Sequence, residues 1–262
     1  MSTPLRPAAA CLTRASITSS LKVELRRLTR SGLGLGVLVG FAFFGLSGPV
    51  LSIYMPEILG AAASTDQLAI SASQATPADA ISLFNQSAMQ LGLIVTVAVA
   101  ITSIGWDTRP GSSIFYRTRV HRLSTVLLPR LIIDWLIALA TYSCGLLLAV
   151  VVTASAIGRP PAGMVVRTWM ACGLYIVMAM SIGHLIAASL RRTTTAIALT
   201  TLLVLVLPVM NQVPGTSRWV PTALLLPTGL HAMPVVVSLV VTGLCAVGSV
   251  LIARRQTLRR DA

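Results

Sequence analysis

Six stretches of nearly unbroken apolar residues organise the chain, at about positions 32–54, 87–106, 131–152, 168–190, 195–211 and 233–253. A helix needs roughly 20 apolar residues to cross the hydrocarbon layer of a bilayer, and these runs reach or approach that length. The pattern predicts an all-α integral membrane protein with six transmembrane helices. The fifth run is the shortest and carries Pro208 near its end.

The segments between the runs carry their own signals. SLKVELRRLTRSG, at 20–32, sets Leu21, Leu25 and Leu28 at helical spacing and places Lys22, Arg26, Arg27 and Arg30 on the other faces. As an amphipathic helix it would lie flat in a headgroup layer; a generic basic flank that orients the first span is the simpler alternative. The loop 55–86 ends in TPADAISLFNQSAMQ, where Pro77 and Asp79 suit a helix start, so a short helix is expected to run into the second span. MNQVPGTSRWVPTALLLPTGLHAMP, at 210–234, holds four prolines. It is too broken to cross and too apolar for a free loop, which predicts a re-entrant segment before the last helix.

The long gap between the second and third runs is the most charged part of the chain. Gly111 with Ser112 or Ser113 can begin a helix there, and Ile114, Phe115, Tyr116 and Val120 then interleave with Arg117, Arg119 and Arg122. A short helix of this kind, parallel to the membrane, can dock into a groove on another protein, because arginine and aromatic side chains are favoured interface anchors. The plainer alternative leaves the arginines on lipid phosphate and the aromatics in the interfacial belt.

Composition agrees with the pattern. Hydrophobic residues make up 55% of the 262, charged residues only 10%, and mean hydropathy is +0.85; a soluble domain carries roughly 25% charged residues. The net charge of +13 could point to nucleic acid, but its distribution argues otherwise. Seventeen of the 20 basic residues fall in the N-terminal segment, the second-to-third gap, the fourth-to-fifth gap and the C-terminal tail, and only Arg159, Arg167 and Arg218 fall in the alternate gaps. That asymmetry follows the positive-inside rule, places both termini in the cytoplasm, and makes lipid rather than nucleic acid the expected partner. Positions 1–31 then form a cytoplasmic tail and leading helix, 32–253 the transmembrane domain and 254–262 a basic tail. No continuous apolar core of a secretory signal lies in 1–20, so the first span is expected to direct insertion.

Candidate chemistry is sparse. Cys11, Cys144, Cys172 and Cys245 lie far apart with no C-x-x-C pair, so no metal site is expected. GLSG at 45–48 has the look of an intramembrane serine protease motif, and His184 is the only histidine in a span. At about 1.5 Å per residue, however, Ser47 and His184 differ in depth by roughly 15 Å, against the roughly 3 Å that a nucleophile and its base require. Asp134 is the only acid inside a span, with Arg130 four residues earlier as an interfacial ion-pair partner and His184 at similar depth. A structural pair or a proton relay are both open. Candidate pathway polarity is confined to Asn85, Gln86 and Gln90 at the outer mouth of the second span and to Asn211 and Gln212 by the broken segment; helix packing would also account for them. Walls of Leu, Val, Ala, Met and Thr suit a hydrophobic or amphipathic cargo.

The sequence lacks G-x-x-x-x-G-K-[ST], and its single lysine, Lys22, lies in no glycine-rich loop, so no nucleotide chemistry or enzymatic activity is expected of this chain itself. The basic LKVELRRLTRSG segment, the six-span pattern with both ends inside, the loop WDTRPGSSIFYRTRVHRLSTVLLPRLI and the proline-broken segment together resemble a bacterial ABC-2-type transporter permease over nearly the whole chain. That resemblance implies that 21–30 is the family's elbow helix, with Leu21, Leu25, Leu28, Arg26 and Arg27 on it. It implies a cytoplasmic coupling helix at 112–122 bearing Ser113, Phe115, Tyr116, Arg117, Arg119 and Arg122, and small re-entrant helices at about 219–231. It further implies a bacterial inner-membrane location, a second permease chain, and a separate ATPase subunit that holds ATP and Mg. Where the family often has an acid-rich lead-in to the loop, this chain has Asp107 and Thr108. An ion-coupled secondary carrier built around Asp134 and a non-transport membrane scaffold are the alternatives.

Overall fold

The computed structural model of the protein describes residues 21, 22, 24–26, 30, 32–63, 75–105, 124–190, 192–212, 219–226 and 231–258. Among them every regular element is helical: α1 (Leu33–Ala63), α2 (Pro77–Ser87), a π-helical turn (Ala88–Gly92), α3 (Leu93–Gly105), α4 (Ser124–Ala156), α5 (Ala162–Leu190), α6 (Thr193–Val206) with a 3-10 extension (Leu207–Gln212), a 3-10 turn (Pro221–Leu225) and α7 (Ala232–Leu258). Six stretches are long and apolar enough to cross a membrane: Leu33–Met55, Pro77–Ile104, Leu127–Ala156, Ala162–Leu190, Thr193–Met210 and Ala232–Ala253. Helices are the economical answer for such runs, because every backbone group is satisfied within the segment. Hydroxyls inside the spans follow the same rule: Thr96, Thr141, Ser143, Thr153, Ser181, Thr200 and Thr242 each donate to the carbonyl four residues earlier, at 2.6–2.8 Å.

The expected short helix before the second span is present and is continuous with it. Thr76 caps α2 through a capping box with Asp79, and Pro77 occupies the first turn, where its missing N–H costs nothing. The π turn then adds one residue to the winding, with Leu93 N–H bonded to Ala88 O. Pro208 does not end the fifth span abruptly; the α-helix gives way to the 3-10 extension one residue before it. Six alternating crossings bring the start of α1 and the end of α7 to one end of the bundle, called here the terminus-bearing end.

Helix α5 is central, with 67% of its spanning window buried against 17% for the fifth span. It packs on α3, α4, α6 and α7, while α1 lies against α4 and α2. Glycines permit the α1–α4 approach. A Cβ on Gly145 would stand 2.6 Å from the Phe41 carbonyl oxygen, and one on Gly45 would collide with the Gly145 carbonyl oxygen. Gly48 admits the Phe84 backbone in the same way, at 2.8 Å. Small residues at a helix interface give lipid-embedded helices this closeness.

Residues 106–123 lie outside the described set, and with them all of Ser113, Phe115, Tyr116, Arg117, Arg119 and Arg122. In the leading segment Leu21, Lys22, Glu24, Leu25, Arg26 and Arg30 are helical; Leu21 is half-buried, Leu25 and Arg26 are exposed, and Arg27 and Leu28 lie outside the described residues. In the proline-broken segment, Thr222, Ala223 and Leu224 of the 3-10 turn are buried, and Thr222 Oγ donates to Leu207 O at 3.3 Å, tying the turn to the end of the fifth span. Residues 213–218 and 227–230 are outside the described set.

Candidate functional site

A cavity of about 1420 Å³ opens in the half of the bundle away from the termini. One wall is the second span, contributing Ser82, Asn85, Gln86, Met89, Gln90, Leu91 and Ile94. Another is the start of α5, with Gly163, Met164, Arg167, Thr168, Ala171, Cys172 and Tyr175, and the rest comes from Val204, Leu205, Pro208 and Leu224–Leu226. Small-molecule pockets run to roughly 300–1,000 Å³, and this open space exceeds that range. Three residues nominated from the sequence, Asn85, Gln86 and Gln90, stand together on its wall. The side chains of Asn211 and Gln212 are outside the described set, although both residues belong to the adjacent 3-10 extension.

The amides are held differently from one another. Tyr142 Oη–H donates to Asn85 Oδ1 at 2.8 Å, while its ring stacks on Phe84 and meets Phe41 edge-on, both with centroids 5.9 Å apart. Asn85 is thereby fixed with its carbonyl turned to the core, leaving its N–H2 as a donor. Gln86 and Gln90 are exposed, and Gln90 sits within the π turn, a winding that recurs at functional sites. Gly92 ends that turn where a Cβ would meet the Phe41 ring at 2.9 Å.

Two further residues on the wall were not singled out from the sequence. Arg167 reads there as a flanking cation of an outer loop, yet α5 begins at Ala162, so Arg167 is helical and faces the cavity. Tyr175 is 1% exposed, and its hydroxyl is buried without a hydrogen-bond partner among the described residues.

A second polar cluster lies in the terminus-bearing half. His184 Nε2 is 3.0 Å from Asp134 Oδ2, and Ser103 Oγ lies 3.1 Å from the same oxygen and 2.7 Å from Ala100 O, its one hydroxyl hydrogen shared between the two acceptors. All three are buried, and His184 Nδ1 has no partner among the described residues. The sequence offers Arg130 as a partner for Asp134, and the contacts the structure gives each of them are with other residues. Arg130 Nε lies 3.3 Å from Glu24 Oε1, close enough for charge pairing though not aligned as a hydrogen bond, and both residues are buried. One turn nearer the helix start, Arg130 reaches the leading segment, whereas Asp134 faces α5 and α3; a buried charge takes whichever partner its own depth offers. A crevice of about 10 Å³ beside Asp134 and Thr96 is at the lower limit for one water molecule.

His184 is thus engaged with Asp134, while Ser47 stays in the far half of α1. Cys172 and Cys245 are buried free thiols and Cys144 an exposed one, and no group of three metal-ligating side chains occurs among the described residues.

Comparison of the chain with protein-family models, with curated proteins and with solved structures finds no match in any of the three.

Proposed function

We propose that this chain is the permease subunit of an ATP-driven exporter of the ABC-2 type. Two such chains, identical or related, would enclose the pathway. A separate ATPase, holding ATP and Mg, would act on it through the 112–122 segment from the cytoplasmic face of a bacterial inner membrane. The observation that carries the proposal is the cavity: large, apolar in its depth, lined by Asn85, Gln86 and Gln90, and placed away from the basic terminus-bearing end. Such a cavity suits a hydrophobic or amphipathic cargo. This sequence contains no phosphate-binding loop, and in this reading the separate ATPase supplies the energy for moving the cargo.

The buried contact of Asp134 with His184 favours a second reading, a proton-coupled carrier, since ionisable groups within spans mark proton pathways in many transporters. Reconstitution separates the two. The tagged chain, with whatever ATPase accompanies it, is placed in vesicles, and accumulation of a panel of hydrophobic fluorescent compounds is followed under ATP or under an imposed proton gradient. Accumulation that needs hydrolysable ATP and survives Asp134→Asn supports the exporter. Accumulation driven by the gradient alone, and lost in Asp134→Asn, supports the carrier.

A further inference from the structure

The cavity carries more than a general apolar preference, because its polar groups are arranged by depth. Ser82, Asn85, Gln86, Arg167 and Thr168 lie toward the far end of the bundle, and Ile94, Ala171, Cys172 and Tyr175 lie deeper. Along α5, Arg167 and Tyr175 are about 12 Å apart at 1.5 Å rise per residue. Arg167 is the charged side chain among the described lining residues, and no carboxylate among them stands beside it. It has no ion-pair partner among the described residues. A guanidinium at the edge of an apolar space, without a counter-ion from the protein, is a place for an anionic group supplied from outside.

Tyr175 gives the second, independent sign. A hydroxyl this deeply buried normally has a partner, and leaving one unsatisfied costs about 1–3 kcal/mol. The hydroxyl is closed off from the cavity surface, so a ligand oxygen supplies that partner only once the wall over it shifts. Leu91, Leu205 and Leu226, all exposed, stand along the same space and offer an apolar chain a route from the bilayer.

We infer that this cavity binds an anionic amphiphile, with its acid group at Arg167, an acceptor oxygen in reach of Tyr175, and its hydrocarbon chain along the leucine-lined wall. The inference rests on the cavity being the cargo site of the proposed exporter, but binding needs neither ATP nor the ATPase. The acid group could belong to a free long-chain acid or to a resident anionic lipid, which share this chemistry.

The test is photolabelling of the full chain in nanodiscs of zwitterionic phosphatidylcholine, with no ATPase or ATP present. The probes are a diazirine-bearing long-chain fatty acid and the matching alcohol, and labelled peptides are mapped by mass spectrometry. The acid should label the 82–94, 163–175 and 204–226 regions in a manner competed by unlabelled palmitate, and the alcohol should label the lipid-facing surface diffusely. Arg167→Gln should weaken half-saturation by about tenfold or more, and Arg167→Lys should restore most of it. Arg159→Gln, a cation at the same end but off the cavity, should change nothing. Tyr175→Phe should weaken labelling by about twofold to tenfold while leaving thermal stability intact, since the lost hydroxyl has no partner among the described residues. Loss of acid labelling when phosphatidylglycerol replaces part of the lipid would assign the site to a bilayer lipid, and persistence would assign it to a free acid; both keep the inference. Equal labelling by acid and alcohol, or undiminished labelling of Arg167→Gln, overturns it. A failure of the exporter proposal in the transport assay would leave this binding result standing.

Discussion

Gly145→Ala tests whether the bundle is built on the close α1–α4 approach. The new Cβ would lie 2.6 Å from the Phe41 carbonyl oxygen and 3.0 Å from the Phe41 Cβ, where ordinary contact begins at 3.4 Å, so the helices must part by about 0.8 Å. The obstacle is backbone on a neighbouring helix, which cannot rotate aside as a side chain tip can. Overpacking of this kind costs about 1–3 kcal/mol, and at roughly 2–4 °C per kcal/mol for a chain of this size the melting temperature should fall by several degrees. The assay is thermal unfolding of the purified protein in mild detergent, with Gly243→Ala as control because a Cβ there meets nothing within 4 Å. Gly45 abuts the same Gly145 carbonyl. Once Gly145→Ala has moved the helices apart, adding Gly45→Ala should cost less than the sum of the single changes. A Gly145→Ala protein that melts with the wild type, or strict additivity of the pair, would refute the close approach.

Removing the imidazole in His184→Ala leaves the buried Asp134 carboxyl with Ser103 as its remaining side-chain contact among the described residues, and leaving a buried polar group unsatisfied costs about 1–3 kcal/mol; the same thermal assay should show a drop of several degrees. Thr76→Ala removes the hydroxyl that accepts Asp79 N–H at 3.3 Å. The loss of about 0.5–2 kcal/mol should appear as faster amide exchange over the first turns of α2, with the rest of the second span unchanged. Alanine at Phe115, Tyr116 and Arg119 together should leave thermal stability untouched and release the proposed ATPase partner.

The spans were legible because bilayer thickness writes itself into the chain as runs of about 20 apolar residues, and the start of α2 was legible because Pro77 and Asp79 are local capping signals. The start of the fourth span was not. A basic residue conventionally marks a flank, so the sequence puts Arg167 outside and begins the helix at 168, whereas AGMVV ahead of it continues the helix back to Ala162. The π turn has no sequence code; it ends at Gly92, where a Cβ would meet the Phe41 ring. The partners of Asp134 were equally open, since Arg130 at helical spacing and His184 at similar depth both qualify, and only the packing of α4 on α5 decides for the histidine. Glu24 is one acid among local cations, so nothing in the sequence singles out Arg130, which the fold brings to 3.3 Å. Asn85, Gln86 and Gln90 line one cavity, as their shared position at one end of an apolar span allows, while the bond from Tyr142 to Asn85 shows that helix packing uses one of them as well.

The central proposal, an exporter permease driven by another polypeptide, is tested most directly by tagging the C-terminus, extracting the protein in mild detergent, and identifying what co-purifies. The account predicts a soluble ATPase in near-stoichiometric amount, with ATP hydrolysis in the preparation, and its loss when Phe115, Tyr116 and Arg119 are replaced by alanine. A stable preparation free of any ATPase, or one that keeps its ATPase in the triple variant, would contradict it.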